Sequence, residues 1–114
     1  MIKIYHNPRC SKSRQTLALL EDNNCQIDII EYLKTPISVE QITDILTKLN
    51  IAPRDMMRVK ETEYKEQGLS DPSLTQAQLI QAMINTPKLI ERPIVLANNK
   101  AAIGRPPENV LTIL

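Results

Sequence analysis

Residues 1–21 read Met1-Ile2-Lys3-Ile4-Tyr5-His6-Asn7-Pro8-Arg9-Cys10-Ser11-Lys12-Ser13-Arg14-Gln15-Thr16-Leu17-Ala18-Leu19-Leu20-Glu21. The short apolar run from Met1 to Tyr5 predicts a strand. The leucine-rich run from about Ser11 predicts a helix that stops near Asn23, with Leu17, Leu20, Leu19 and Ala18 turned inward. Cys10 thus stands where a strand hands over to a helix, in a loop that carries Arg9, Lys12 and Arg14 and no acid. The first turn of a helix presents unpaired N–H groups and the positive end of the macrodipole. A thiol placed there, beside cations, ionises more readily than a free one, and the thiolate is the nucleophile. The same N–H groups and cations attract anions. The stretch predicts a reactive cysteine that meets an anion.

Outward from this loop, Gln26 to Tyr32 is rich in β-formers and predicts a second strand. Strand, helix and strand in succession make a βαβ unit with parallel strands and a right-handed crossover. Ser38-Val39-Glu40-Gln41 matches a capping box, and Val39, Ile42, Leu46 and Leu49 come next at helical spacing, with Ile45 adjacent and Asn50 as the stop. Pro53 suits the first turn of a short helix reaching Met56, Met57 and Arg58. A charged segment from Glu61 to Gln67 is closed by Gly68, and Asp71-Pro72-Ser73 is a turn. Thr75 and Gln78 form a second capping box, ahead of a stripe of Leu79, Ile80, Met83 and Ile84 that Thr86-Pro87 ends. The period then changes. Ile94 to Ala97 and Lys100 to Ile103 read as a hairpin about Asn98-Asn99. Pro106 and Pro107 lead into a last helix running to Leu114, with Val110, Leu111 and Leu114 available to cover the sheet. The order predicts a thioredoxin-like α/β fold: a four-stranded mixed sheet flanked by helices, with a helical insertion at about 38–86, in one domain spanning residues 1–114. The spacing from Cys10 to Ser13 falls where that fold carries a dithiol motif.

Composition narrows the function. Hydrophobic residues make up 42% and charged residues 24%, ordinary for a globular chain, and the net charge of +1 gives no field that would mark a nucleic-acid or membrane binder. No apolar run approaches the roughly 18 residues that span a bilayer, and Lys3, His6 and Arg9 break up any signal-peptide pattern. Two cysteines and one histidine are too few for a disulfide scaffold or an ordinary structural zinc site, so no metal is expected.

The company of Cys10 is polar and basic, which sets it apart from a core thiol. Ser13 stands where a resolving cysteine would be, so no Cys10–Ser13 disulfide can form and the reducing thiol must come from outside unless Cys25 approaches. Cys25 reads as a half-buried structural thiol. His6, the single histidine, either orients and deprotonates Cys10 or simply ends the strand. Three arginines stand out: Arg58 after Met56-Met57, Arg92 before Pro93 and the third strand, and Arg105 before two prolines. A guanidinium fork suits bidentate binding of a tetrahedral oxyanion. In the thioredoxin-like topology the proline before the third strand is cis and lies against the active cysteine, which places Arg92-Pro93 beside Cys10.

Together, His6-Asn7-Pro8-Arg9-Cys10 with Ser13-Arg14, Met56-Met57-Arg58, Glu91-Arg92-Pro93-Ile94-Val95 and Gly104-Arg105-Pro106-Pro107-Glu108 resemble the glutaredoxin-coupled arsenate reductase family in order and spacing over almost the whole chain. The resemblance implies a cytoplasmic enzyme that reduces arsenate to arsenite, holds no bound cofactor, and uses glutathione as co-substrate and glutaredoxin as partner. It implies Cys10 as nucleophile, His6 as support for the thiolate, and Arg58, Arg92 and Arg105 as ligands of arsenate or a similar oxyanion. Two other readings of these residues stand beside it. One is a glutathione-dependent monothiol reductase or deglutathionylase, which needs Cys10 but no arginine cage. The other is a non-enzymatic regulator of the Spx type, which ordinarily carries a second cysteine where Ser13 stands here.

Overall fold

Four strands form one sheet in the order β2-β1-β3-β4: β1 (Ile2–Tyr5), β2 (Ile27–Ile30), β3 (Ile94–Ala97) and β4 (Lys100–Ile103). The computed structural model describes residues 2–23 and 26–114; Met1, Asn24 and Cys25 lie outside them, and with them the reading of Cys25. β1 and β2 are parallel, joined through helix α1 (Ser11–Asp22), while β3 is antiparallel to both β1 and β4. This is the mixed sheet expected from the sequence. The hairpin turns on Asn98 and Asn99 at φ of 51° and 65°, the left-handed region that Asn tolerates.

The chain divides into two compact units, one of Met1–Thr35 with Arg92–Leu114 and one of Pro36–Glu91. In the first, Ile4 and Val95 are register partners at the centre of the sheet, and both are fully buried. With Leu20, Ala97, Ala102, Val110 and Ile113 they make an aliphatic core, against which Ile2, Leu17 and Ile27 pack. Full burial of each of Ile4, Leu20, Val95 and Val110 stabilises by about 1.5–3 kcal/mol.

Three expectations change here. The second strand ends at Ile30, because β1 offers no partner beyond Tyr5; Glu31 to Lys34 form a turn in which Glu31 O accepts from Lys34 N at 2.9 Å. The last helix is a 3-10 helix, Pro107–Ile113. Its three-residue period puts Pro107, Val110 and Ile113 on the buried face, so Leu111 and Leu114 are each left 41% exposed rather than covering the sheet. On α1 the buried face is Ser13, Thr16 and Leu20, while Ala18 is exposed.

In the second unit, α2 (Val39–Leu49) and α4 (Gln76–Asn85) pack together. Both begin with the expected capping boxes: Ser38 Oγ accepts from Gln41 N at 3.1 Å, and Thr75 Oγ1 from Gln78 N at 3.2 Å. Each cap contributes about 1 kcal/mol. Ile42, Ile45 and Leu46 are buried, but Val39, in the first turn, faces outward at 46% exposure. A 3-10 turn (Pro53–Met56), the short helix α3 (Thr62–Glu66) and a second 3-10 turn (Pro87–Leu89) complete the unit. Among the described residues, no helix is long and apolar enough to cross a membrane.

Candidate functional site

The register of the sheet assembles the site. Tyr5 is paired with Ile30 on one side and Ile94 on the other, and Ile94 is paired with Ile103. The segments that leave β1, β2 and β4 and the segment that enters β3 therefore meet at one end of the sheet. They carry His6 to Cys10, Glu31 to Lys34, Gly104-Arg105 and Arg92-Pro93. Arg92–Pro93 is a cis peptide bond, as the topology implied, and Arg105–Pro106 is also cis.

Asn7 shapes the first of these segments. Its side-chain Oδ1 accepts from Arg9 N at 3.0 Å and its carbonyl accepts from Cys10 N at 3.0 Å, closing a tight turn. Cys10 is the N-cap of α1 in extended geometry, and its carbonyl accepts from Arg14 N at 3.0 Å. Its thiol therefore sits at the mouth of the helix's first turn.

Two arginines meet this thiol. Arg105 Nη2 donates to Cys10 Sγ at 3.6 Å, while its Nε donates to the carbonyl of Arg92 at 2.7 Å. Burial pushes the Cys10 thiol up. The guanidinium of Arg92 and the backbone N–H groups of Ser13 and Lys12 outweigh it and hold the pKa below its ordinary value. The effect is mutual for Arg92. Burial disfavours its charge, but hydrogen bonding to Cys10 and the neighbouring hydroxyl of Tyr32 keep its pKa above the ordinary value. Tyr32 is a site residue that local sequence places only as the end of a strand. It is almost fully buried in the turn after β2.

His6 reaches the site through Ser13. Its Nδ1 lies 2.6 Å from Ser13 Oγ, and Ser13 Oγ accepts from Asn7 N at 3.0 Å. Burial lowers the pKa of His6; Glu31 pulls it up and Arg14 pushes it down. In the neutral imidazole, Ser13 donates to Nδ1 and accepts from Asn7, so the buried polar groups satisfy one another. Ser13, with no exposed surface, is thus a buried junction tying strand end, loop and helix together. The signal for it in the sequence is a hydroxyl in helical register with Leu17 and Leu20.

Pro93 lies against Gly104. A Cβ at Gly104 would fall 2.5 Å from Thr16 Oγ1 and 2.8 Å from Pro93 Cγ. Only glycine lets β4's exit pass this close to α1, and Arg105 is the next residue. Arg58 belongs to the second unit. There its Nη1 pairs with Glu61 Oε1 at 3.1 Å, and its backbone N–H bonds Leu89 O at 2.7 Å. The structure thus brings Cys10, Arg92 and Arg105 together, links His6 to Ser13, and sets Pro93 beside Gly104. Among the described residues, no group of three or more His, Cys, Asp and Glu could hold a metal ion. An ionised thiol beside two cations can attack an electrophile that bears negative charge.

Residues 5–113 match the model of the ArsC family. The chain is 54% identical over 114 residues to the uncharacterized protein YfgD of Escherichia coli (strain K12), covering 99% of this chain and 96% of that one. It is 52% identical over 114 residues to an arsenate reductase of Neisseria meningitidis (serogroup B), covering 99% and 97%. Among solved structures, an arsenate reductase from Vibrio cholerae superposes with a TM-score of 0.97 at 52% identity, covering 99% of this chain and 97% of that one.

Proposed function

The chain belongs to the ArsC family, and we propose that it reduces arsenate to arsenite, with Cys10 as nucleophile and glutathione and glutaredoxin as the source of reducing thiols. The observation that carries this reading is the pairing of Arg105 with the Cys10 thiol and with the Arg92 carbonyl, which sets two guanidinium-bearing residues beside one thiolate.

Arg92 and Arg105 attract the oxyanion and leave Cys10 ionised next to it. The thiolate attacks arsenic; an S–As bond forms, an As–O bond breaks, and the departing oxygen takes up protons and leaves as water. The arginines neutralise charge as it moves from sulfur to the arsenate oxygens. Arg58 is the third arginine that the family resemblance implies as a ligand of the oxyanion. Glutathione then attacks the sulfur of the adduct. An S–S bond forms, arsenic keeps the electron pair of the broken S–As bond, and arsenite leaves with the thiol's proton. Glutaredoxin takes over the mixed disulfide and returns Cys10 to its thiol. Ser13 stands in place of a resolving cysteine and cannot supply the second thiol, which the outside thiols do in this reading. His6 and Pro93 position the loop and its anion wall.

The test is NADPH oxidation in the presence of arsenate, glutathione, glutaredoxin and glutathione reductase. Turnover that requires arsenate, is abolished by Cys10→Ser and is largely kept by Cys25→Ser is expected. Absence of arsenate-dependent turnover from the unmodified protein would overturn the assignment.

A further inference from the structure

The backbone of Arg92 is fastened by one contact and its side chain is aimed by others. Its carbonyl accepts from Arg105 Nε at 2.7 Å, which fixes the main chain but leaves a long side chain with several rotatable bonds. At the tip, the guanidinium hydrogen-bonds two groups, the Cys10 thiol and the Tyr32 hydroxyl.

The proposed chemistry treats these two partners differently. The thiolate is consumed: once sulfur bonds arsenic, its negative charge is gone, and with it most of its hold on the guanidinium. The phenol makes and breaks no covalent bond, so its oxygen keeps its place. A donor stabilises developing charge only when it is held in position while that charge moves. The contact that outlasts the attack is the one to Tyr32.

Tyr32 is held firmly enough to serve. It is 1% exposed, and its hydroxyl oxygen and Arg92 Nε are both buried. It stands in the turn after β2, where Glu31 O accepts from Lys34 N and from Thr35 N, each at 2.9 Å. The end of β2 is tied to the cysteine loop, His6 N donating to Ile30 O at 2.8 Å. Tyr32, Arg92, Cys10 and Arg105 all belong to one compact unit. A ring needed only for packing could be phenylalanine. A buried hydroxyl costs free energy unless a polar group meets it, and here that group is a guanidinium that attends the thiol.

We infer that Tyr32 is a positioning residue for the reaction at Cys10: its hydroxyl holds the Arg92 guanidinium toward the thiol and the oxyanion while charge leaves the sulfur. The inference rests on the proposed reductase reading for the oxyanion, and not for the aim of Arg92 at the thiol.

Tyr32→Phe keeps the ring and removes the oxygen. In this variant the midpoint of Cys10 alkylation by iodoacetamide should move to higher pH. In the coupled assay, kcat/KM for arsenate should fall roughly three- to tenfold, the size of one hydrogen bond lost. Because Tyr32 acts through Arg92, Tyr32→Phe in an Arg92→Ala background should move the midpoint no further. In the unmodified protein, a nuclear Overhauser contact between the Arg92 guanidinium protons and the Tyr32 ring protons is expected, and this readout requires no variant to fold. An unchanged midpoint, a shift of equal size in both backgrounds, or absence of that contact would overturn the positioning role; arsenate turnover alongside any of these would leave the reductase reading intact. A midpoint shift that depends on Arg92, with no arsenate turnover from the unmodified protein, would leave the hold of Tyr32 on Arg92 standing and remove the reductase reading.

Discussion

Arg105 Nε donates to the carbonyl oxygen of Arg92 at 2.7 Å, and the same guanidinium reaches Cys10 Sγ through Nη2 at 3.6 Å. One side chain thus fastens the β4 exit to the β3 entrance and faces the thiol with its other edge. Lysine has no second donor in a fixed fork and cannot do both.

Arg105→Lys is therefore expected to act as a loss, not as a conservative change. Removing a hydrogen bond to a charged group costs about 1.5–3 kcal/mol, which corresponds to roughly a ten- to hundredfold fall in arsenate turnover. Because Arg105 Nη2 donates to Cys10 Sγ, the midpoint of alkylation of Cys10 by iodoacetamide should move to higher pH in the variant. An unchanged midpoint would show that Arg105 does not stabilise the thiolate.

Ser13→Ala removes the oxygen that His6 and Asn7 share. The Asn7 N–H loses its acceptor in a buried place, a cost of about 1–3 kcal/mol. Urea unfolding should show a loss of that size, and alkylation of Cys10 should slow as the loop loosens. A variant as stable as the parent would mean that solvent or a neighbour replaces the lost partner.

His6 makes stability depend on pH. Its pKa is lowered by burial, so the folded state binds this proton less readily than the unfolded chain, where histidine titrates near about 6.5. The stability contributed by neutral His6 is complete above that value and is lost as pH falls through the folded pKa. The Glu63 carboxyl is held down by Lys88 and the Asp71 carboxyl by the Ser73 N–H, so both titrate in a lower, separate window. Unfolding free energy should thus decline on acidification from about pH 6.5, and His6→Gln should flatten that decline. An identical slope in parent and variant would assign it to other groups.

Gly104→Ala should destabilise by about 1–3 kcal/mol, because the new methyl meets Thr16 Oγ1 at 2.5 Å and Pro93 Cγ at 2.8 Å. Thr16→Ala relieves part of this clash. The double variant should therefore be more stable than the sum of the single losses predicts, by about 0.5 kcal/mol or more. Strict additivity would show that Thr16 is not what excludes a side chain at Gly104.

Local signals were enough for the elements and for the basic, helix-entering setting of Cys10. Alternating and helical periodicity, the capping boxes at Ser38 and Thr75, and the paired asparagines at 98 and 99 each act within a few residues, so the order of strands and helices was legible. The setting of Cys10 was legible for the same reason: a loop without acids, entering a helix, lowers a thiol pKa wherever it lies. Packing was less legible. The 3-10 period of the last helix decided that Ile113, and not Leu111 or Leu114, joins the core. The buried hydroxyls of Ser13 and Thr16 look like surface residues until their partners arrive from His6 and Gly104.

By itself, then, the sequence determined a strand, an activated cysteine and a helix, the order of the later strands and helices, and which arginines were available. The tertiary structure decided which of them act together. Tyr5, Ile30, Ile94 and Ile103 are neighbours across the sheet, and that register brings four distant segments to one end. Arg105 and Cys10 stand 95 residues apart in the chain. No local propensity encodes a contact over that distance; it exists because the burial of Ile4 and Val95 holds β1 and β3 in register.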